Sequence, residues 1–367
     1  LFWELLRDRR LNKLISNHKE KNMNKINAIV TSLVFAGGVG TASGMDTYDM
    51  VSQEVQVAAA QHASFNGEHL SVNVGGFIQT GWSYNNAGGN SALSGFGVDR
   101  ARLIISGDMG DESMSYLVSG QWSDTTNSFD LLDARVDLRM FDFANIRVGQ
   151  FVPGFYAGYV TDPRSLTTLN YSVSALTFGQ GRGQGVELSR HFSNFHVSGF
   201  YNNGFDDTSG VGSNDYAFGS RVECVAVADW VFGAGLGYNN DVVDYVTYTV
   251  DASYVGNGWH ADAAWVANDS NDTWQNYSLV GTVGYDVTKD WEAFGQYEYG
   301  VLSGASDDLS LLTVGGNYAL NSAVTWTTSL GYSLNAVSSE FDTDTTGWRT
   351  SSEDGQFLIR SGVTVSF

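Results

Sequence analysis

The segment LLDARVDLRM, residues 131–140, sets Asp133, Arg135, Asp137 and Arg139 at alternate positions, with Leu132, Ala134, Val136, Leu138 and Met140 between and after them. Side chains alternate across an extended strand, so four charges of alternating sign share one face and the other face is apolar. Arg100 and Arg102 keep the same two-residue spacing, and Arg147 and Arg182 stand in Gly-containing segments, the latter followed by Glu187. Arg221 and Arg360 occupy polar faces of later alternating segments, as do Glu223, Asp251, Glu292 and Glu298. Their chemistry is electrostatic. Opposed charges across a water-filled constriction set up a transverse field that orders water and favours polar over apolar solutes. The same pairs can instead brace a wall, since exposed ion pairs are individually weak, and both uses stand open.

Elements of a particular kind must carry such a face. The chain has 43 Gly, 18 Tyr, 21 Phe and 10 Trp beside only 2 Pro, a mixture suited to many short strands joined by polar turns. After residue 44 no apolar run comes near the ~20 residues of a spanning helix, which excludes a helical membrane protein. A closed β-barrel is the other way across a bilayer, because every backbone N–H and C=O must find a partner away from water. Alternation predicts sixteen strands near 69–82, 99–109, 114–123, 131–140, 145–152, 182–191, 194–202, 216–226, 230–239, 246–255, 259–267, 276–286, 291–300, 308–319, 323–333 and 355–367. In the last of these, Phe357, Ile359, Val363, Val365 and Phe367 oppose Arg360, Gly362, Thr364 and Ser366. Connections alternate between short ones, such as 192–194 and 256–258, and long ones rich in Asn, Asp, Ser and Gly. Tight turns on one rim and long loops on the other is the outer-membrane pattern, with both termini periplasmic. Aromatic residues near strand ends, among them Trp82, Trp122, Trp230, Trp259 and Trp291, suit the headgroup levels. The expected fold is therefore an all-β transmembrane antiparallel barrel of sixteen strands, too wide for side chains to fill.

Four segments are expected along the chain. Residues 1–22 read as an upstream extension. Residues 23–44, with Lys25, a short apolar stretch and small residues at Thr41 to Gly44, read as a signal peptide. Residues 45–68 form a periplasmic N-terminal segment, and 69–367 the barrel. Residues 1–44 hold 7 of the 19 Lys+Arg and 3 of the 40 Asp+Glu, so 12 basic side chains face 37 acidic ones in the remainder, a net charge of −25. Nucleic acid, which needs the opposite sign, is not an expected partner.

The longest link ahead of the middle of the barrel, Pro153 to Gly181, holds both prolines and the Asp162–Pro163–Arg164 turn. A loop of that length in a compact protein is usually functional, and it is expected to fold inward as a constriction, with Asp162 and Arg164 at the pore. The stretch from Val98 to Glu187 resembles the phosphate-selective porin O and P family in its DRARLIISGDMGD, LLDARVDLR, RVGQFVPGF and GRGQGVEL blocks, which stand in the family's order. That resemblance implies a homotrimeric channel with anions guided along arginines of the inner wall. Arg100, Arg102, Arg135, Arg147 and Arg182 lie in the matching blocks. Lys289 is the only lysine after residue 44, so the family's lysine cluster is absent.

These readings imply a porin: a water-filled channel for passive diffusion of small polar or charged solutes, anions such as phosphate among them. Its partners would be the lipid bilayer and lipopolysaccharide, the latter through divalent cations bridging loop carboxylates such as Asp307, Asp308, Glu340, Asp342, Glu353 and Asp354. No cofactor and no dedicated metal site are expected, since no spacing matches a calcium loop and Cys224 is the single cysteine. A non-conducting structural or adhesin barrel is the alternative. An outer-membrane hydrolase needs a general base, but His62, His69, His191, His196 and His260 all fall at the periplasmic strand ends, and no catalytic residue is assigned.

Overall fold

In a computed structural model of the chain the described residues are 63–67, 70–87, 90–110, 113–123, 128–139, 144–205, 215–227, 229–240, 244–270 and 273–367. The expected extension and signal, and most of the segment 45–68, lie outside them. The strands are β1 (Ala63–Asn66), β2 (Ser71–Asn86), β3 (Leu93–Met109), β4 (Met114–Ser123), β5 (Ser128–Leu138), β6 (Asn145–Phe151), β7 (Gly183–Phe192), β8 (Phe195–Asn202) and β9 (Tyr216–Val227). They continue as β10 (Trp230–Asn240), β11 (Tyr245–Gly256), β12 (Trp259–Ser270), β13 (Thr273–Asp286), β14 (Trp291–Val301), β15 (Leu309–Asn321), β16 (Val324–Ser333) and β17 (Phe357–Ser366). Two short helices, α1 (Ala157–Val160) and α2 (Val173–Phe178), interrupt the link between β6 and β7. No described helix is long and apolar enough to cross a membrane.

From β2 to β17 each strand pairs with the next, and β17 pairs antiparallel with β2, which closes a sixteen-strand barrel. Closure leaves no unpaired edge, the condition for strands in hydrocarbon. The short strand β1, which the alternation did not reveal, pairs with Ser71–Val74 of β2 on the edge that β17 vacates at its C-terminal end. There Phe367 exchanges two backbone hydrogen bonds with Gly76, its carbonyl accepting at 2.8 Å and its N–H donating at 3.0 Å.

The alternation sorts the faces. Val118, Val148, Leu188, Leu236, Leu279, Val314 and Leu330 are exposed around the outside, an apolar belt of a size that marks a membrane surface. Inside, one sector is also apolar. Phe155, Tyr156, Val173, Ala175 and Phe178 of the β6–β7 link pack on Phe200, Val266, Leu309, Leu311 and Leu358 of the wall, under Val337, Phe341 and Trp348 of the β16–β17 loop. Wall positions facing this plug need no polarity.

Two register shifts re-aim charged residues. Gln79 pairs with Arg100 and Thr80 with Val98, which leaves Asp99 as an extra residue on β3. Such a bulge bends the strand, and the consecutive side chains Asp99 and Arg100 both find inward partners. A second shift, with Ser119 opposite Asp133 and Gly120 opposite Leu131, lies where the charged stripe of β5 begins.

Candidate functional site in the barrel interior

Pro153 stands two residues past the end of β6, and its missing N–H cannot extend a ladder. Beyond it the chain is shaped by local caps. Asp162 accepts from the Arg164 N–H at 2.8 Å ahead of a single 3-10 turn with Pro163 at its start. Ser172 caps α2 through the Ala175 N–H at 3.0 Å. Side chains from the inner face of eight strands then hold the segment, Glu187 of β7 among them, accepting from the Gly154 N–H at 3.1 Å. Gln79 of β2 donates to the Leu169 carbonyl at 3.1 Å, and Arg100 of β3 to the Asn170 side chain. Arg221 of β9 and Thr249 of β11 both donate to the Phe155 carbonyl at 3.2 Å. His260 of β12 sits 3.1 Å from the Thr167 hydroxyl, Asn317 of β15 donates to the Thr167 carbonyl at 2.9 Å, and Glu298 of β14 accepts from the Ser174 N–H at 3.1 Å. A cavity of ≈ 690 Å³ remains between Tyr156–Ser172 and the wall from β9 to β17, with Asp262, Asp286 and Glu292 on its surface.

The predicted charged residues fall into two groups. On the wall of β3 to β7, Arg147 bonds Asp137 at 2.7 Å and Glu187 at 3.4 Å, Arg135 lies 3.4 Å from Asp137, and Arg182 bonds Asp133 at 3.0 Å. Arg164 pairs with Asp162 at 2.8 Å and lies 5.6 Å above the Phe77 ring. Arg102 lies over the same ring at 5.3 Å and hydrogen-bonds a neutral partner, the Gln121 side-chain oxygen at 2.9 Å. Arg100 likewise bonds amide oxygens, of Gln79 at 2.9 Å and of Asn170, and stands 5.3 Å over Tyr171. Burial pushes the Tyr171 hydroxyl up to about 12, against the pull of Arg100 and Arg102, so it meets these cations as a neutral ring. Desolvation likewise raises Tyr156.

No protein-family model and no curated protein matches the sequence. Among solved structures, an anion-selective porin from Comamonas acidovorans is 14% identical, with a TM-score of 0.62 over 81% of this chain and 100% of that one. The trimer form of in-vitro folded OmpT, an outer membrane protein of Vibrio cholerae, is 14% identical, with a TM-score of 0.58 over 82% and 100%. Salmonella typhi OmpF in complex with daunomycin is 11% identical, with a TM-score of 0.62 over 83% and 100%. The fold is that of an outer-membrane porin. A closed barrel with an apolar belt and this fold belongs in the bacterial outer membrane.

Within the porin fold the second group of charges serves as fasteners. Arg221 bonds Asp251 at 2.7 and 2.8 Å and Glu223 at 2.8 Å, and all three residues are below a tenth exposed. Gly233 makes room for this clamp: a Cβ there would lie 2.1 Å from an Arg221 nitrogen. Arg360 donates to Asp99 at 2.8 Å and to the carbonyls of Thr345 and Thr346 at 3.1 and 2.7 Å, tying the β16–β17 loop to the wall. Arg139 is set apart, exposed just past β5 and bonded to Ser115 at 3.2 Å. Sequence reasoning missed Gln79, Gln121, Asn170 and Phe77, which hold the arginines. Neutral amides and a ring on a wall carry no charge pattern by which to find them.

Proposed function

We propose that the chain forms an outer-membrane channel for passive diffusion of small polar or charged solutes, with a preference for small anions, and that residues 153–181 form its constriction. The observation that carries this reading is the pair Arg100 and Arg102, set side by side on β3 against amide oxygens and aromatic rings. Guanidinium groups whose hydrogen bonds go to neutral partners, while the nearby Asp99, Asp162 and Asp133 are taken up by Arg360, Arg164 and Arg182, leave a positive potential in the interior, where low-dielectric walls concentrate it. The wall of Asp133, Arg135, Asp137, Arg147, Arg182 and Glu187 borders the same passage in near balance. The chain's acidic excess, on the rim loops and at Asp262, Asp286 and Glu292 of the cavity, opposes anion entry, and the preference rests on the local field of Arg100 and Arg102.

The anion selectivity named for the Comamonas porin agrees with this preference, and the resemblance to the phosphate-selective family makes phosphate one candidate solute. The absence of its lysine cluster argues for a general anion path rather than a phosphate-specific one. The same resemblance, with the trimer form of the Vibrio protein, supports a homotrimer. Planar-bilayer recording across a KCl gradient tests the proposal. Stable channels with a reversal potential of anionic sign are expected. Absence of channels would overturn the function in favour of a non-conducting barrel, and a cationic sign would overturn the preference alone.

A further inference from the structure

The strands β7 and β8 meet in a tight turn, with Ser193 at φ 53°, and that turn fixes a register in which His191 faces His196. A two-residue turn of this kind sets the pairing of its flanking strands. The two imidazoles stack with centroids 4.2 Å apart and planes 22° from parallel. Both belong to the face that carries Glu187, Ser198 and Phe200 inward, so the pair stands at the periplasmic mouth of the barrel.

Behind it lies an ordered set of partners. Glu223 of β9 is opposite His196, and its Oε2 lies 3.1 Å from His196 Nδ1. The other Glu223 oxygen accepts from Arg221 Nε at 2.8 Å, and the residue is only 4% exposed. Donation from Nδ1–H to a fixed carboxylate selects the tautomer whose Nε2 keeps its lone pair, the arrangement found behind metal-bound histidines. Arg221 is shared between Glu223 and Asp251, so one guanidinium balances two carboxylates and the triad has an excess negative charge beside His196.

We propose that His191 and His196 chelate a divalent transition-metal ion of the zinc, nickel or copper kind at the periplasmic mouth. Imidazole suits these ions. Metal–nitrogen bonds of about 2.0–2.1 Å place two ligand nitrogens about 3 Å apart, which the two adjacent rings reach by tilting their Nε2 edges toward one ion. No third His, Cys, Asp or Glu among the described residues completes a cluster, so water fills the remaining positions and the ion stays exchangeable. Glu223 is the positioning residue.

Copper(II) titration of the full chain in detergent, read by electron paramagnetic resonance, tests the site without calling on conductance. One tight equivalent with nitrogen hyperfine structure from two imidazoles is expected. His191→Ala and His196→Ala should each weaken it by at least about tenfold, and Glu223→Gln by about tenfold. His191→Ala/His196→Ala, checked for an unchanged β-sheet circular dichroism spectrum, should lose it. Retention of the copper signal in that folded double variant, or no tight equivalent in the unmodified chain, would overturn the proposal.

Discussion

Arg221 on β9 and Arg102 on β3 project into the same barrel interior, yet one is gripped by the carboxylates of Asp251 and Glu223 and the other rests on a Gln121 amide and a Phe77 ring. The difference separates two uses of one side chain. A buried cation answered by two carboxylates is spent on holding strands and the Phe155 carbonyl together. A cation answered by neutral groups keeps its field for whatever passes. Counting arginines on the inner wall therefore overstates the charge a solute would meet; the arginines with neutral partners set it.

The largest expected effect comes from breaking the clamp. Arg221→Met leaves Asp251 and Glu223 buried without their cation and should destabilise the barrel by about 3–5 kcal/mol, seen as a lower midpoint in urea or thermal unfolding in detergent, while the sign of the reversal potential is kept. Arg102→Gln should do the reverse. A unit charge about 8 Å from an ion in water is worth roughly 0.5 kcal/mol, with opposite sign for anion and cation, so its removal should lower the anion-to-cation permeability ratio by about fivefold, read from reversal potentials, with unfolding shifted by under about 1 kcal/mol. An equal loss of stability in both variants would erase the distinction. The smallest effect is that of salt. Between 0.1 and 1 M KCl the screening length falls from about 10 to about 3 Å, and the permeability ratio should move toward unity while the stability conferred by the buried Arg221 clamp stays nearly constant, as paired unfolding and reversal-potential measurements would show.

Much of the architecture was legible because a bilayer enforces it. The alternation in GQFLIRSGVTVSF and VTWTTSLGYS marks β17 and β16 within a residue or two, since lipid and interior demand unlike side chains at every second position. Less was legible where that demand lapses. Strand β1 is four residues long and lies at the edge of the predicted barrel. The β2–β3 hairpin runs past its predicted ends to Asn86 and Leu93; the NNAGGNS cluster marks a turn there, but the Gly- and Ser-rich flanks carry little alternation. Residues 153–181 were singled out by length and by their prolines, but their partners on eight strands lie tens to hundreds of positions away and leave no local trace.

Sequence alone determined the number of barrel strands and their inward and outward faces, because both follow from local periodicity in a solvent with two sharply different sides. The tertiary structure decided which charges neutralise one another. The bulge at Asp99 brings it to Arg360, and the placement of β9 and β11 on either side of β10 brings Arg221 to Asp251, pairs that no spacing connects, and a Coulomb interaction depends on distance in space and on burial, neither of which a linear pattern contains.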